Sequence, residues 1–216
     1  MLYAGTSGWA YAGWKPAFYP AKTPSKKFLE VYATRLNSVE VNYTFRRYPS
    51  EKLLAGWIAS TPAGFRFSVK ANQLITHIKR LRDAREVTQR FLSSLQLLVE
   101  AGKLGVVLYQ LPPFLKADSA LLSDFLALLP AAVRSTFEFR HDSWFTEETF
   151  ALCARPTPRS VWRRARSWWC PTSRLPTSST TACASPSIPR PSASSWPGAS
   201  APSSRSATPS STSSMR

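Results

Sequence analysis

Five short strand-like runs recur through the first two thirds of the chain, and each is followed by a stretch with helical periodicity. The runs are LYAGTSG (2–8), SVEVN (38–42), RFSVKA (66–71), LGVVLYQL (104–111) and STFEFRH (135–141). Each is apolar or alternating and of strand length. Ser25 can cap a helix that carries Phe28, Leu29, Tyr32 and Leu36 on one face, and Ser50 one with Leu53, Leu54, Trp57 and Ile58. Residues 86–101 place Phe91, Leu95 and Leu98 in register, Asp118 can cap a helix with Leu121, Leu122, Phe125 and Leu129, and Thr146 can begin a fifth. Strands separated by helices pair in parallel, because a parallel pair needs a long crossover. The expected fold class is therefore α/β. Strand starts near 2, 38, 66, 104 and 135 recur at the spacing of a TIM-type (β/α) barrel, which needs eight units over ~250 residues. About five of the eight are visible, so the barrel is incomplete. A doubly wound open sheet is the structural alternative.

In such folds ligands bind at the carboxyl ends of the strands. Side chains alternate along a strand. Glu40 and Asn42 therefore share a face of the second strand, and Ser68 and Lys70 a face of the third. Gln110 ends the fourth. Glu138 and Arg140 share a face of the fifth, while Phe137 and Phe139 take the other and pack under helices. An interior holding Glu40, Lys70, Glu138 and Arg140 is no ordinary apolar core, since unpaired buried charges are costly. Two carboxylates, a lysine and an arginine at one mouth suit an anionic or polyhydroxy ligand, as a site or, alternatively, as an ion-pair network that fills the barrel. As a catalytic set, either carboxylate can serve as general base, with Lys70 and Arg140 stabilising negative charge.

The loop THIKRLRDAR holds His77, Lys79, Arg80, Arg82 and Arg85. It reads as a phosphate site, for a small ligand or a nucleic-acid backbone, or as a solvated charge run. GTSGW (5–9) is a glycine-rich turn able to present N–H groups to an anion, without the Lys-Ser/Thr ending of a phosphate loop. Trp9, Tyr11, Trp14, Phe18 and Tyr19 form either a stacking surface or loop packing. Trp144 follows the fifth strand, where it can wall the mouth. No metal-ligand set, catalytic triad or dinucleotide fingerprint is found, and the sequence leaves any cofactor unknown.

The segments YAGTSGWAYAGW, FYP, NSVEVNYTFRRYPS, GFRFSVKA, THIKRLRD, LGVVLYQLPP and FEFRHDSWF, in that order, resemble the YecE-like family, a bacterial and archaeal domain of unknown function. The likeness spans residues 2–154. It implies a TIM-type barrel related in shape to the xylose isomerase and apurinic-endonuclease barrels. The family's polar motif positions fall on Glu40, Asn42, Lys70, His77, Gln110, Glu138, Arg140 and His141. Membership delivers no reaction, because fold does not dictate function. Residue by residue, the catalytic candidates are Glu40, Lys70, Glu138 and Arg140. The substrate-binding candidates are Asn42, His77, Arg80, Gln110, His141 and Trp144, and none is a metal ligand.

After Ala154 the character of the chain changes. Of the formal net charge of +16, residues up to 152 contribute 19 Lys+Arg against 12 Asp+Glu, or +7. The remainder holds 9 Arg and no acid. From 155 to 216 only Val161, Leu175, Ile188 and Met215 are not encoded by codons with C or G in the middle position. A GC-rich gene read one base late has this signature, which no demand of folding imposes. Read one base earlier, the implied codons allow strand-like runs such as FVYYRLR and FVYFKHE. The expectation is a partial barrel over 1–154, followed by a frameshifted tail over 155–216 that is Ser/Pro/Arg/Ala-rich and disordered. Ten prolines after 155 oppose strands there. Such a chain would be inactive and aggregation-prone. A literal reading of the tail as a basic binding arm is the weaker account. Cys153, Cys170 and Cys183 fit no metal or disulfide spacing, and the amino terminus reads without a signal peptide or a membrane span, so a cytoplasmic setting is expected, and the resemblance implies a bacterial one. The partner is a small anionic or sugar-like ligand, or alternatively nucleic acid at the 77–85 loop.

Overall fold

The computed structural model describes residues 2–154 and, as backbone, two further strands at 159–165 and 168–172. Five strands run in parallel and pair in sequence order: β1 (Gly5–Ser7), β2 (Ser38–Val41), β3 (Arg66–Lys70), β4 (Leu104–Gln110) and β5 (Ser135–Phe139). The order never reverses, so the switch point of a doubly wound sheet is absent among these strands. Nor does the sheet close, since β1 stands at one end of it. Among the described residues the strands therefore form an open sheet and not a closed barrel.

Beyond β5 the structure departs from the expectation of a strandless tail. β6 (Arg159–Ala165) pairs in parallel with β5, and β7 (Trp168–Thr172) returns antiparallel to β6. The physical reason is that the open edge of β5 offers unpaired N–H and C=O groups, which any backbone can meet without an alternating pattern. An antiparallel return is not a further β/α unit. The rest of the segment expected to be disordered lies outside the described residues.

The helices are α1 (Phe28–Ala33), α2 (Glu51–Ala59), α3 (Arg85–Ser93), α4 (Gln96–Glu100), α5 (Ser119–Leu128) and α6 (Glu147–Cys153). Three predicted caps form: Ser50 accepts from the Leu53 N–H, Asp118 from Leu121 and Thr146 from Thr149. Ser25 does not cap. It begins a 3₁₀ turn, Ser25–Lys27, so α1 starts only at Phe28. The helix expected over 86–101 breaks between α3 and α4. There Ser94 Oγ donates to the Phe91 carbonyl at 2.6 Å, a local bond that competes with the helical ladder.

The helix-facing side of the sheet is apolar. Val39, Val41, Phe67, Val69, Val107, Tyr109, Phe137 and Phe139 are buried there, among Tyr32, Leu54, Trp57, Phe91, Leu98 and Phe125. Phe137 and Phe139 thus take the helix side, as alternation requires. Phe125 meets the rings of Tyr109 and Phe137 at 5.3 and 6.2 Å. Each such side chain contributes about 1.5–3 kcal/mol by leaving water. The opposite face of β2 and β3 carries Ser38, Glu40, Arg66, Ser68 and Lys70, all half-buried. β1 approaches β2 so closely that a Cβ at Gly5 would collide with the Ser38 carbonyl, which explains the glycine.

At the amino end of β4 the polar chemistry is closed off. Lys103, 5% exposed, donates to the Ile58 carbonyl (2.9 Å), the Thr61 carbonyl (2.6 Å) and Thr61 Oγ1 (2.8 Å). Its three N–H bonds occupy the carboxyl end of α2, where the helix dipole favours a cation. Burial, and then the Arg66 charge, push its pKa below the usual lysine value.

Candidate functional site

Strand register brings the predicted residues to one end of the sheet. Gln110 lies beside Glu138 and Lys70 beside Leu108, so Lys70, Gln110 and Glu138 share the inner face near the carboxyl ends of adjacent strands. Lys70 Nζ donates to Gln110 Oε1 at 2.8 Å, and Gln110 Nε2 donates to Glu138 Oε2 at 2.6 Å. Arg140 Nε donates to Glu138 Oε1 at 3.0 Å. A cation on one side and a carboxylate on the other fix which way the Gln110 amide points. Glu138 is fully buried, so its charge depends on these two donors. Both of its oxygens are engaged, so Glu138 holds Arg140 and Gln110 in place and is poorly placed to abstract a proton.

His77 joins this cluster from a π-helical turn, Leu74–Ile78, directly after β3. Such turns are frequent at functional sites. Burial, and then the positive charges of Lys70 and Arg140, lower its pKa below the usual 6.5, which favours the neutral ring. Phe45 stands between Lys70 and His77: Lys70 Nζ lies 4.8 Å from its ring centroid, and the His77 ring meets it edge-on at 4.9 Å. Thr44 fixes the same loop, with Oγ1 donating to the Lys70 carbonyl at 2.6 Å. Asn72 Nδ2 donates back to the Thr44 carbonyl at 3.0 Å.

Glu40 and Asn42 form a second group with Ser7. Asn42 Nδ2 donates to Ser7 Oγ at 2.7 Å, and Ser7 Oγ donates to Glu40 Oε1 at 3.0 Å. Ser7 lies beside Glu40 in the register, at the carboxyl end of β1. Glu40 is half-buried and Asn42 exposed. Glu40 is therefore the accessible carboxylate of the mouth.

The remaining candidates lie elsewhere or act otherwise. Arg80 is exposed and stacks on Phe114, 5.0 Å from its ring centroid, while Arg82 pairs with Asp118 at 3.2 Å. The backbone here is strained, with φ of 51° at Arg80, 69° at Leu81 and 44° at Asp83. His141 caps the short turn Asp142–Trp144, its Nδ1 accepting from the Ser143 N–H at 3.1 Å. Trp144 does not wall the mouth. It is fully buried, stacks on Phe139 at 4.8 Å and donates Nε1–H to the Leu115 carbonyl at 2.7 Å. A large ring with one polar atom finds a core slot with one acceptor.

The entry-loop aromatics also pack inward, except Tyr11, which stays exposed. Tyr19 stacks on Phe28 at 4.3 Å, Trp14 meets Phe18 at 5.4 Å and Trp9 meets Trp57 at 5.6 Å. Burial pushes the Tyr19 hydroxyl up to about 12, with the nearby Tyr32 adding to the shift.

Sequence reading missed Ser7, Phe45, Thr44 and Asn72. Ser7 was legible as the third residue of GTSGW, and Thr44 and Phe45 as part of the NYTFRRYPS motif, but nothing in one dimension says that these loops meet. Two clefts, of about 560 and 500 Å³, lie between the 81–85 loop and α5 and between α1 and α2. None of the mouth residues lines either. Among the described residues no helix is long and apolar enough to cross a membrane.

Comparison with known proteins places this geometry in a family. The pattern of "Protein of unknown function DUF72" matches residues 3–182, running past Ala154, where the sequence likeness was expected to stop. The chain is 30% identical over 152 residues to the UPF0759 protein YunF of Bacillus subtilis (strain 168), a match covering 68% of this chain and 53% of that protein. The crystal structure of a DUF72 family protein from Thermotoga maritima MSB8 superposes with a TM-score of 0.64 at 30% identity, covering 74% of this chain and 64% of that one. A DUF72 family protein from Enterococcus faecalis V583 gives 0.62 at 20% identity, covering 74% and 60%, and is alike in fold. The chain thus spans about half the length of the curated relative and less than two thirds of the solved ones. Its own α/β sheet and its motifs agree with these matches: the chain belongs to the DUF72 family of proteins of unknown function.

Proposed function

We propose that the carboxyl ends of β1–β5 form a ligand site for a small phosphorylated or polyhydroxy molecule. The observation that carries this reading is the unbroken chain Lys70–Gln110–Glu138–Arg140, built around a fully buried carboxylate. A network that merely filled space would be better replaced by apolar side chains, since burying charges is costly. In an enzyme, Glu40 is the general base and Lys70 and Arg140 stabilise developing negative charge, while Glu138 positions Arg140. Binding of a small anion that persists at high salt and is lost in Lys70→Ala and Glu138→Gln tests the reading by calorimetry. Binding that survives both substitutions overturns it.

Nucleic acid is the competing partner. Steeply salt-dependent binding of DNA or RNA, lost on Arg80→Ala and Arg82→Ala, favours it instead. Two contacts speak for the small ligand: Arg82 is engaged by Asp118 and Arg80 by Phe114, so part of the basic loop serves to tie the β3 and β4 loops together.

The same proposal extends to the architecture and the gene. The unreversed parallel order and the greater length of the relatives support a closed TIM-type barrel in the full-length protein, with the frame lost near codons 153–156 of this one. The codon-position bias beyond 155 supports the frame loss, although the family match continues to residue 182. Resequencing that region decides it: a read with neither an inserted nor a missing base overturns the frameshift. A frame-complete protein is expected to be monodisperse and to melt cooperatively, and the 216-residue chain to aggregate or be degraded.

A further inference from the structure

The two side-chain groups at the mouth have opposite hydrogen-bonding character. On the β3–β5 side the groups turned to the ligand are donors. Arg140 is 29% exposed and only its Nε has an acceptor among the described residues, so the two Nη groups form an unfilled fork. Lys70 and His77 stand close enough that the charges of Lys70 and Arg140 both act on the His77 ring. On the β1–β2 side the groups are acceptors. Glu40 uses only Oε1, on the Ser7 hydroxyl, and the proton of that hydroxyl is already committed to it. Asn42 gives one Nδ2 proton to Ser7, which leaves Oδ1 as an acceptor beside the second Nδ2 proton.

An arginine fork held rigid by a buried carboxylate matches an oxyanion with two oxygens in one plane. A carboxylate with a free oxygen, beside a hydroxyl with an open lone pair, matches ligand O–H donors. Neighbouring strands lie about 4.8 Å apart, so the second and fifth strands are separated by roughly 14 Å along the sheet. The long Arg140 side chain, whose charge acts on His77 beyond the third strand, meets that span from one side and Glu40 from the other, which leaves between them the reach of a short carbon chain with functional groups at both ends.

We infer that the mouth is a two-pole site, in which Arg140 seats the oxyanion of a small polyhydroxy ligand while Ser7, Glu40 and Asn42 take its hydroxyl groups. This rests on the ligand-site reading above and adds the orientation of the ligand, the class of compound and a role for Ser7. The oxyanion can be a phosphate or a carboxylate, since both fit the fork.

Titration calorimetry on the frame-complete protein with inorganic phosphate, glycerol 3-phosphate, D-glycerate and glycerol tests the division. Glycerol 3-phosphate or D-glycerate should bind at least about tenfold more tightly than inorganic phosphate, the worth of one or two extra hydrogen bonds. Which of the two binds more tightly identifies phosphate or carboxylate as the preferred oxyanion. Glycerol alone should bind more weakly than either. Arg140→Lys, which keeps the charge and loses the fork, should weaken every oxyanion probe by tenfold or more. Glu40→Gln and Ser7→Ala should leave inorganic phosphate unchanged and erase the advantage of the hydroxylated probes. In the wild-type chain the Arg140 side-chain N–H resonances should shift on addition of phosphate, a readout independent of how the variants fold. Binding lost in Lys70→Ala yet untouched in Arg140→Lys overturns the two-pole division and leaves the ligand site standing. Equal affinity for phosphate and glycerol 3-phosphate, with neither changed by Glu40→Gln, overturns the acceptor pole. Failure of all four probes to bind overturns both the division and the small-ligand reading.

Discussion

The two ends of one sheet treat their charges in opposite ways. At the amino end Lys103 is buried and gives all three of its N–H bonds to Ile58 and Thr61. At the carboxyl end Arg140 gives one N–H to Glu138 and keeps its fork without an acceptor among the described residues. A cation whose donors are all met by its own chain locks two elements together. A cation held by one bond and left partly exposed keeps N–H donors for solvent or a ligand. The difference shows why charge burial alone does not identify a site: what matters is whether the hydrogen-bonding capacity is exhausted.

The sharpest test of this contrast is Lys103→Met. It leaves two carbonyls and a hydroxyl without their buried donor and should cost about 3 kcal/mol of stability. Urea denaturation should show a lower midpoint with an unchanged slope, while anion binding by the folded fraction stays as it was. Arg140→Lys should do the reverse, changing the midpoint little and binding much.

Trp144→Phe should come next, at about 2 kcal/mol, because it both vacates core volume and orphans the Leu115 carbonyl. A loss confined to ligand affinity would instead restore Trp144 as a wall of the mouth.

The pH dependence should be smaller still. The folded chain holds the pKa of His77 below 6.5, so the unfolded chain binds the proton more readily. Stability should therefore fall as pH drops below about 6.5 and level off below the folded-state value. Comparison of the wild type with His77→Phe over that window isolates the contribution; equal slopes would remove His77 from the cationic cluster. The smallest effect belongs to Arg82→Ala. Its pair with Asp118 is 66% and 36% exposed, and such pairs are worth at most about 1 kcal/mol. A midpoint shift no larger than that of other surface substitutions is the expected result.

Much of the fold was legible because its signals are local. Ser50, Asp118 and Thr146 each stand at the start of a helix and cap it, and Phe137 and Phe139 fall on the helix side because side chains alternate. Where two local signals compete, the reading failed. Ser25 has the right chemistry for a cap but was drawn into a 3₁₀ turn, and Ser94 split one periodic segment into α3 and α4. Trp144 could not be placed from its neighbours, since its slot is made by Phe139 and by Leu115 from a different loop. Glu40, Lys70, Glu138 and Arg140 were legible as residues of one end of the sheet, but not as two separate groups. That division depends on which strand pairs with which and in what register.

By itself the sequence determined the parallel α/β class, the inward face of each strand, three helix caps and membership of one family, because periodicity, capping and motif order are properties of neighbours in the chain. It also carried the change of character after Ala154. The tertiary structure alone decided that Gln110 bridges Lys70 to Glu138, that Ser7 joins Glu40 and Asn42, that Trp144 is core and that β6 and β7 extend the sheet. Each of these rests on contacts between groups far apart in sequence, where close packing and the satisfaction of buried polar atoms, not local preference, set the outcome.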